Sequence, residues 1–483
     1  MSTRDAVTAT HRFGLGAKPG ELRAIASDPR NYALGQLSRP ERALLEASEL
    51  EPSNVTLAAL QQLQLERRMA KQQSKQQTAA AAPGAGASTS AAAPGTSPAP
   101  ASAPAAPQAL KPGAVAREAV RAEALARTRK AADTDAPLLE RLVMFWSNHF
   151  CVSAQKLPVV ATTGAYEREA IRPHVLGRFA DMLKAVERHP AMLVYLDNQV
   201  SVGPNSPAGR NRGRGLNENL GREILELHTV GVDGGYTQED VTNFARILTG
   251  WTVGMLSQPR QEAGRFFYAP FRHEPGPWTV LGKLYPDRGE ATGIEVLDDL
   301  ARSPATARHI ARKLAVHFVG DTPAEALVQR LATTFRDSDG DLAAVTKALL
   351  TAPEAWQTPP RKVVPPYDFL ISVVRRFGLQ DKIKGPDLAR IQALLGEPLW
   401  RPPSPKGWPD DDDAWMGPSA MRERLRVAEV ASRQIDRALD PREAAADLFG
   451  DALSEPTRQA IARAESREQG FQILIMAPEF QRR

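Results

Sequence analysis

Apolar residues recur at helical spacing along almost the whole of this chain, and that periodicity constrains the fold more than any other feature. Within 136–152, Leu142, Phe145, Trp146 and His149 fall at i, i+3, i+4 and i+7, which puts a bulky stripe on one helix face. Similar spacing marks 19–37, 52–71, 115–130, 166–187, 216–230 and 237–248, with Gly, Pro and Asn between the segments. It resumes over 294–300, 306–319, 324–337, 342–350, 367–377, 387–395 and 419–439. One β signal interrupts it. The stretch 265–271 carries Phe266, Phe267, Tyr268 and Phe271, and 278–284 is placed to pair with it as a small hairpin. No fixed-period repeat occurs, which argues against a solenoid. The expected fold class is mainly α: a multi-helix globular domain with a minor β-hairpin.

A low-complexity stretch breaks this pattern. From Thr78 to Pro107 the chain is built almost wholly of Ala, Pro, Gly, Ser and Thr, which cannot bury enough apolar surface to offset the entropy of ordering. It reads as a disordered Ala/Pro-rich insertion. The expected organisation is an N-terminal helical part over 1–72, the insertion over 73–112 and a central helical region over 113–260. A small β element over 261–290 and a C-terminal helical region over 291–483 complete it.

Several function classes can be set aside. Lys and Arg number 61 against 56 Asp and Glu, a formal charge of +5 and a mild excess for 483 residues. The basic residues are mostly Arg and Ala is abundant, which reads as codon bias; a nucleic-acid footprint would concentrate charge on one face. The loop 209–215, Gly-Arg-Asn-Arg-Gly-Arg-Gly, is the one segment that fits a polyanion. A single cysteine, Cys151, excludes an internal disulfide framework and any Cys-rich metal site. No run of 18 apolar residues exists to form a membrane-spanning helix. The first thirty residues hold Asp5, Glu21 and Asp28 and lack a signal-like apolar run, so the cytoplasm is the default expectation. Export alongside a signal-bearing partner is the alternative.

The central helix over 216–230 carries the chemistry most open to a site. At roughly 100° per residue, Asn219, Glu223 and Glu226 share roughly a 60° arc. Two carboxylates one turn apart need a metal ion, an Arg or a shared proton between them. Arg222 is spaced to pair with Glu218 and Glu226 and could be that cation. Glu223 and Glu226 are thus candidate ligands for a divalent metal or an acid–base pair, with Asn219 in support and His149 or His273 joining from elsewhere. The bland alternative is a solvated face of i,i+4 ion pairs. His149 ends an apolar helix, where a histidine usually bonds to backbone. His273 lies on an expected loop, and His309 and His317 sit on a basic helix. Cys151 points away from His149, which disfavours a Cys–His nucleophile.

Complete catalytic templates are missing. There is no His-Glu-x-x-His, no Gly-x-Ser-x-Gly and no phosphate loop ending in Gly-Lys-Ser/Thr. The run Asp337-Ser338-Asp339-Gly340-Asp341 fails as a calcium loop because positions six and twelve hold Leu342 and Ala348. Asp341 reads instead as an N-cap, and Thr237 with Asp240 as a capping box.

Four stretches carry a family resemblance: His11–Gly16, Met144–Phe150, Asn217–Gly231 continuing to Trp251, and Gly396–Trp400 continuing to Trp408. Together they resemble the bacterial family catalogued as domain of unknown function 1800, over nearly the full chain outside the insertion. The resemblance brings no catalytic residues. It implies a partner, because members often neighbour genes for a sulfatase-like family, domain of unknown function 1501, whose members tend to be exported. The expected function is accordingly an accessory or binding partner of such a sulfatase-like protein. A metal-dependent enzyme using Glu223 and Glu226 is the alternative, and a polyanion-binding protein a further one.

Overall fold

Proline settles where the helices begin. The chain has 39 prolines, and in a helical protein each must avoid helix interiors, where it removes a hydrogen bond and clashes. In the computed structural model Pro112, Pro137, Pro304, Pro366, Pro418 and Pro441 all open helices, at positions whose N–H has no intrahelical partner anyway. The structure describes residues 3–80, 111–210, 215–258, 262–382 and 385–483. Most of the insertion expected over 73–112 lies outside them, at 81–110. Its first residues, 73–80, continue the Ser53–Ala80 helix, and Pro112 opens the next.

The architecture is mainly α with two small antiparallel ladders. The helix over 136–152 is found at Pro137–His149 and is buried on nearly every side. The segment over 166–187 is not one helix. Pro173 interrupts it, leaving a π turn at Glu167–Ile171, a 3-10 turn at Arg172–His174 and an α-helix at Phe179–Glu187. The β element also differs from expectation in its pairing. Phe266–Tyr268 pairs with Trp251–Val253, and Trp278–Val280 pairs with Lys283–Tyr285. The strand at 251–253 is only three residues long, too short for alternation to reveal. Thr237 and Asp240 do form a reciprocal capping box, and Asp341 caps the Leu342–Thr351 helix.

Two buried clusters form the main core. The larger runs from Ala6 to Trp356 and includes Trp146, Phe179 and Trp251. The smaller gathers Phe369, Phe377, Phe449, Phe471 and Phe480 from the C-terminal helices. Arginine is part of the interior. Arg141, Arg172, Arg375, Arg376, Arg424 and Arg483 are among the largest fully buried side chains. Arg375 donates to the carbonyls of Gly16, Ala132 and Thr134 and to Glu21, joining three chain segments at one guanidinium. Arg172 forks onto Glu140 at 2.8 and 3.0 Å and also reaches Glu167 and the Ala43 carbonyl. The abundance of Arg thus has a structural use: a rigid multi-donor fork that satisfies buried carboxylates and loop carbonyls.

Candidate functional site

The central helix is split between two periods. Asn219–Glu223 is α-helical, and Ile224–His228 widens into a π turn. Gly221 lets the helix lie tightly against Gln238–Ile247: a Cβ there would come within 3.1 Å of the Ala245 backbone N. Of the polar residues expected to share an arc, Asn219 and Glu223 lie in the α-helical part and Glu226 in the π turn. Asn219 is exposed. Glu226 is half-buried and accepts a hydrogen bond from the Tyr236 hydroxyl at 3.1 Å. Arg222 pairs with Glu218 at 3.1 Å and with Gln238 at 3.0 Å. Glu223 is half-buried, and its carboxyl is pushed up by burial and by the nearby charges of Glu226 and Glu187, against His228 and Arg222.

The histidines around this helix close off its end. A π turn leaves its last carbonyls without intrahelical partners. His149 Nε2 donates to the His228 carbonyl at 3.2 Å, and His309 Nε2 donates to the Leu227 carbonyl at 3.1 Å. Both imidazoles are kept neutral. Burial holds His149 well below its ordinary value and His309 at about 4, with Lys313 adding to both. His228 in turn meets the buried Glu187 carboxylate at 2.8 Å. His273 stands apart, its ring nitrogens on the Thr249 carbonyl at 2.9 Å and on Asp287 at 3.1 Å, tying the β element together. Glu223, Glu226, His149 and His273 are therefore not brought to one point. Among the described residues no three His, Cys, Asp or Glu side chains converge where they could hold a metal ion. The loop 209–215 lies partly outside the described residues, at 211–214.

Burial pushes the Cys151 thiol up to about 12, and it donates towards the Pro405 carbonyl at 3.3 Å. A thiol in that state is a packing donor rather than a nucleophile.

A second region was not singled out from the sequence. Asp368 is buried between Arg141 and Arg483, which both donate to it. Arg141 also reaches His317 Nε2 at 3.2 Å, and His317 Nδ1 faces Asp410 at 3.4 Å. Burial brings His317 down to about 4. Beside this network runs a narrow cleft of about 90 Å³ between the Pro137–His149 helix and the 397–415 loop. Glu397, Trp400, Trp408, Tyr367 and Arg127 are among the groups that line it. The signal available in the sequence was the density of Trp around one Glu, at Glu397, Trp400, Trp408 and Trp415.

Three of the four stretches quoted from the sequence meet in space, and the first packs elsewhere in the core. Phe13 packs on Phe318 and Trp356, and Arg12 donates to the carbonyls of Ala355 and Thr358. Asn148 bonds both polar atoms of the Trp408 backbone, and His149 caps the central helix. A family model described as Protein of unknown function (DUF1800) matches residues 8–482. The chain belongs to this family. No curated protein and no solved structure matches it. The third and fourth DUF1800 stretches thus bond to the second, at the C-terminal end of the Pro137–His149 helix. Among the described residues no helix is long and apolar enough to cross a membrane.

Proposed function

We propose that this DUF1800 protein is a non-enzymatic accessory that docks a segment of a partner polypeptide, the partner being a sulfatase-like protein of the kind its family's genes neighbour. The observation that carries the docking reading is a broad groove of about 1260 Å³ between the Pro112–Asp133 helix, the start of the Ser53–Ala80 helix and residues 42–51. Val115, Ala119, Ala122 and Ala126 lie at i, i+4, i+7 and i+11, half-buried along one face of Pro112–Asp133. Leu45, Ala47, Leu50, Val55 and Ala59 face the same groove. Small side chains along a helix let a second backbone approach closely, as in helix-in-groove recognition. The charged lining holds seven carboxylates against four basic groups. It suits an amphipathic segment with an apolar stripe and basic flanks.

The test is co-expression with the neighbouring sulfatase-like protein and affinity purification of this chain. The partner is expected to co-purify, and Ala122→Glu is expected to weaken the association by at least about tenfold, or about 1.4 kcal/mol. A chain deleted for 81–110 should still bind, whereas binding gained only on deletion would make that segment the groove's occupant. Failure of the partner to co-purify would remove the reading.

A second reading rests on Glu223, which is half-buried, raised by burial and has no hydrogen-bond partner among the described residues. It makes Glu223 and Glu226 an acid–base or metal-binding pair. Elemental analysis of the purified protein and of Glu223→Ala decides it: stoichiometric metal lost in the variant supports it, and equal metal content in both removes the metal version.

A further inference from the structure

The cleft beneath the 397–415 loop is built more rigidly than a surface loop requires. Gly396, Trp400 and Gly407 all have positive φ, and for Trp400, at φ +48°, a bulky side chain occupies a region that costs about 1–2 kcal/mol. Such strain persists only where the surroundings over-determine it. They do so here. The Trp400 carbonyl accepts from Ala154 N at 2.8 Å, Arg401 donates to the Ala154 carbonyl at 3.2 Å, and Ser153 Oγ donates to the Pro402 carbonyl at 3.0 Å. Asn148 holds the Trp408 backbone at 2.7 and 3.0 Å. A side chain at Gly407 would collide with the Asn148 carbonyl at 2.6 Å.

The walls held this way are aromatic. Trp400 and Trp408 are half-buried, and the buried Tyr367 ring carries the Arg127 guanidinium 4.3 Å above it. Two polar groups in the cleft are left open. Glu397 accepts the Tyr367 backbone N–H at 2.8 Å with one carboxyl oxygen, and the other has no hydrogen-bond partner among the described residues. Gln392 is 3% exposed, lines the cleft and likewise has no side-chain partner among them. Both groups line the cleft, so a bound molecule can complete their hydrogen bonds.

We propose that this cleft is a binding site for a small neutral polyol or the hydroxyl edge of a sugar, packed against Trp400 and Trp408 and hydrogen-bonded by Glu397 and Gln392. The class follows from the lining. Aromatic faces take up C–H surface, an amide both donates and accepts, and a protonated carboxyl donates to a hydroxyl. The volume, about three waters' worth, admits a glycerol-sized ligand and only one edge of a hexose. Glu397 is kept protonated at neutral pH: burial raises it to about 8, helped by Asp368 and opposed by Arg127 and Arg424. Glu167, Asp410 and His317 are the other titratable groups lining the cleft outside its aromatic and thiol side chains. The site is separate from the docking groove, so either can fail without the other.

Saturation-transfer NMR with glycerol and with glucose, on the full chain at pH 7, tests the site. Transfer to at least one probe is expected, reduced tenfold or more in Trp400→Asn, which suits a positive φ, and in Gln392→Leu. In the wild type binding should weaken as pH rises past about 8, whereas Glu397→Gln should bind at pH 7 and show no such fall. Absence of transfer to both probes would overturn the proposal. So would transfer that survives Trp400→Asn and Gln392→Leu, or the same pH profile in Glu397→Gln.

Discussion

At the scale of single residues, a set of charged side chains is buried in the interior. Asp368 is shared by two buried guanidiniums, Arg141 and Arg483, so removing it leaves both without that carboxylate. Asp368→Ala should lower the stability measured by denaturant unfolding by roughly 3–5 kcal/mol, the usual cost of breaking a buried pair from one side. Glu397 works in the opposite sense. Its folded value, about 8, lies above that of an unfolded glutamate, about 4.5. Between those values the folded chain holds a proton that the unfolded chain has released, so this group's contribution falls as pH rises through that window. Glu397→Gln should therefore gain stability relative to the wild type from pH 5 to pH 9 in parallel melts, and an unchanged difference would contradict the assignment. Little of this was legible beforehand. Glu397 and Trp400 could be quoted as part of a resemblance, but neighbours that raise a carboxyl, such as Asp368, lie about thirty positions away and meet it only through the fold.

At the scale of elements, helix positions were readable and their internal period was not. The spacing of Leu142, Phe145, Trp146 and His149 places the Pro137–His149 helix to within a few residues because burial on one face enforces it. The π turn at Ile224–His228 has no comparable signature. Gly221 seats the preceding turn against Ala245, and two histidines from other helices cap the π turn's carbonyls. An arc drawn for Asn219, Glu223 and Glu226 at one constant period could not anticipate it. His309→Ala should remove one cap and cost about 1–3 kcal/mol. Hydrogen exchange at 224–231 should quicken, and an unaltered rate there would show that the cap is dispensable. The strand pairing failed for a similar reason. Three-residue strands carry too little alternation to name their partners, and Trp251–Val253 follows directly on the Gln238–Ile247 helix and its Gly250 turn.

At the scale of the whole molecule, the interior disfavours acid. His11 and His149 are held well below their ordinary value, and His309 and His317 at about 4, in each case first by burial. Below about pH 6.5 the unfolded chain takes up protons on these groups while the folded chain does not, so their contribution to stability falls as pH drops from about 6.5 towards 4. Thermal melts should show the midpoint dropping over that interval, and a flat profile would mean that the rings are open to water. Mainly helical architecture could be expected from spacing alone. The docking groove could not, because Val115, Ala119, Ala122 and Ala126 become a floor only once residues 42–51 stand opposite them. Hydrogen exchange of the full chain with and without the sulfatase-like partner tests that groove most directly. Docking predicts slowed exchange over 112–133 and 42–51, lost in Ala122→Glu. Protection over 219–228 with none in the groove would contradict it.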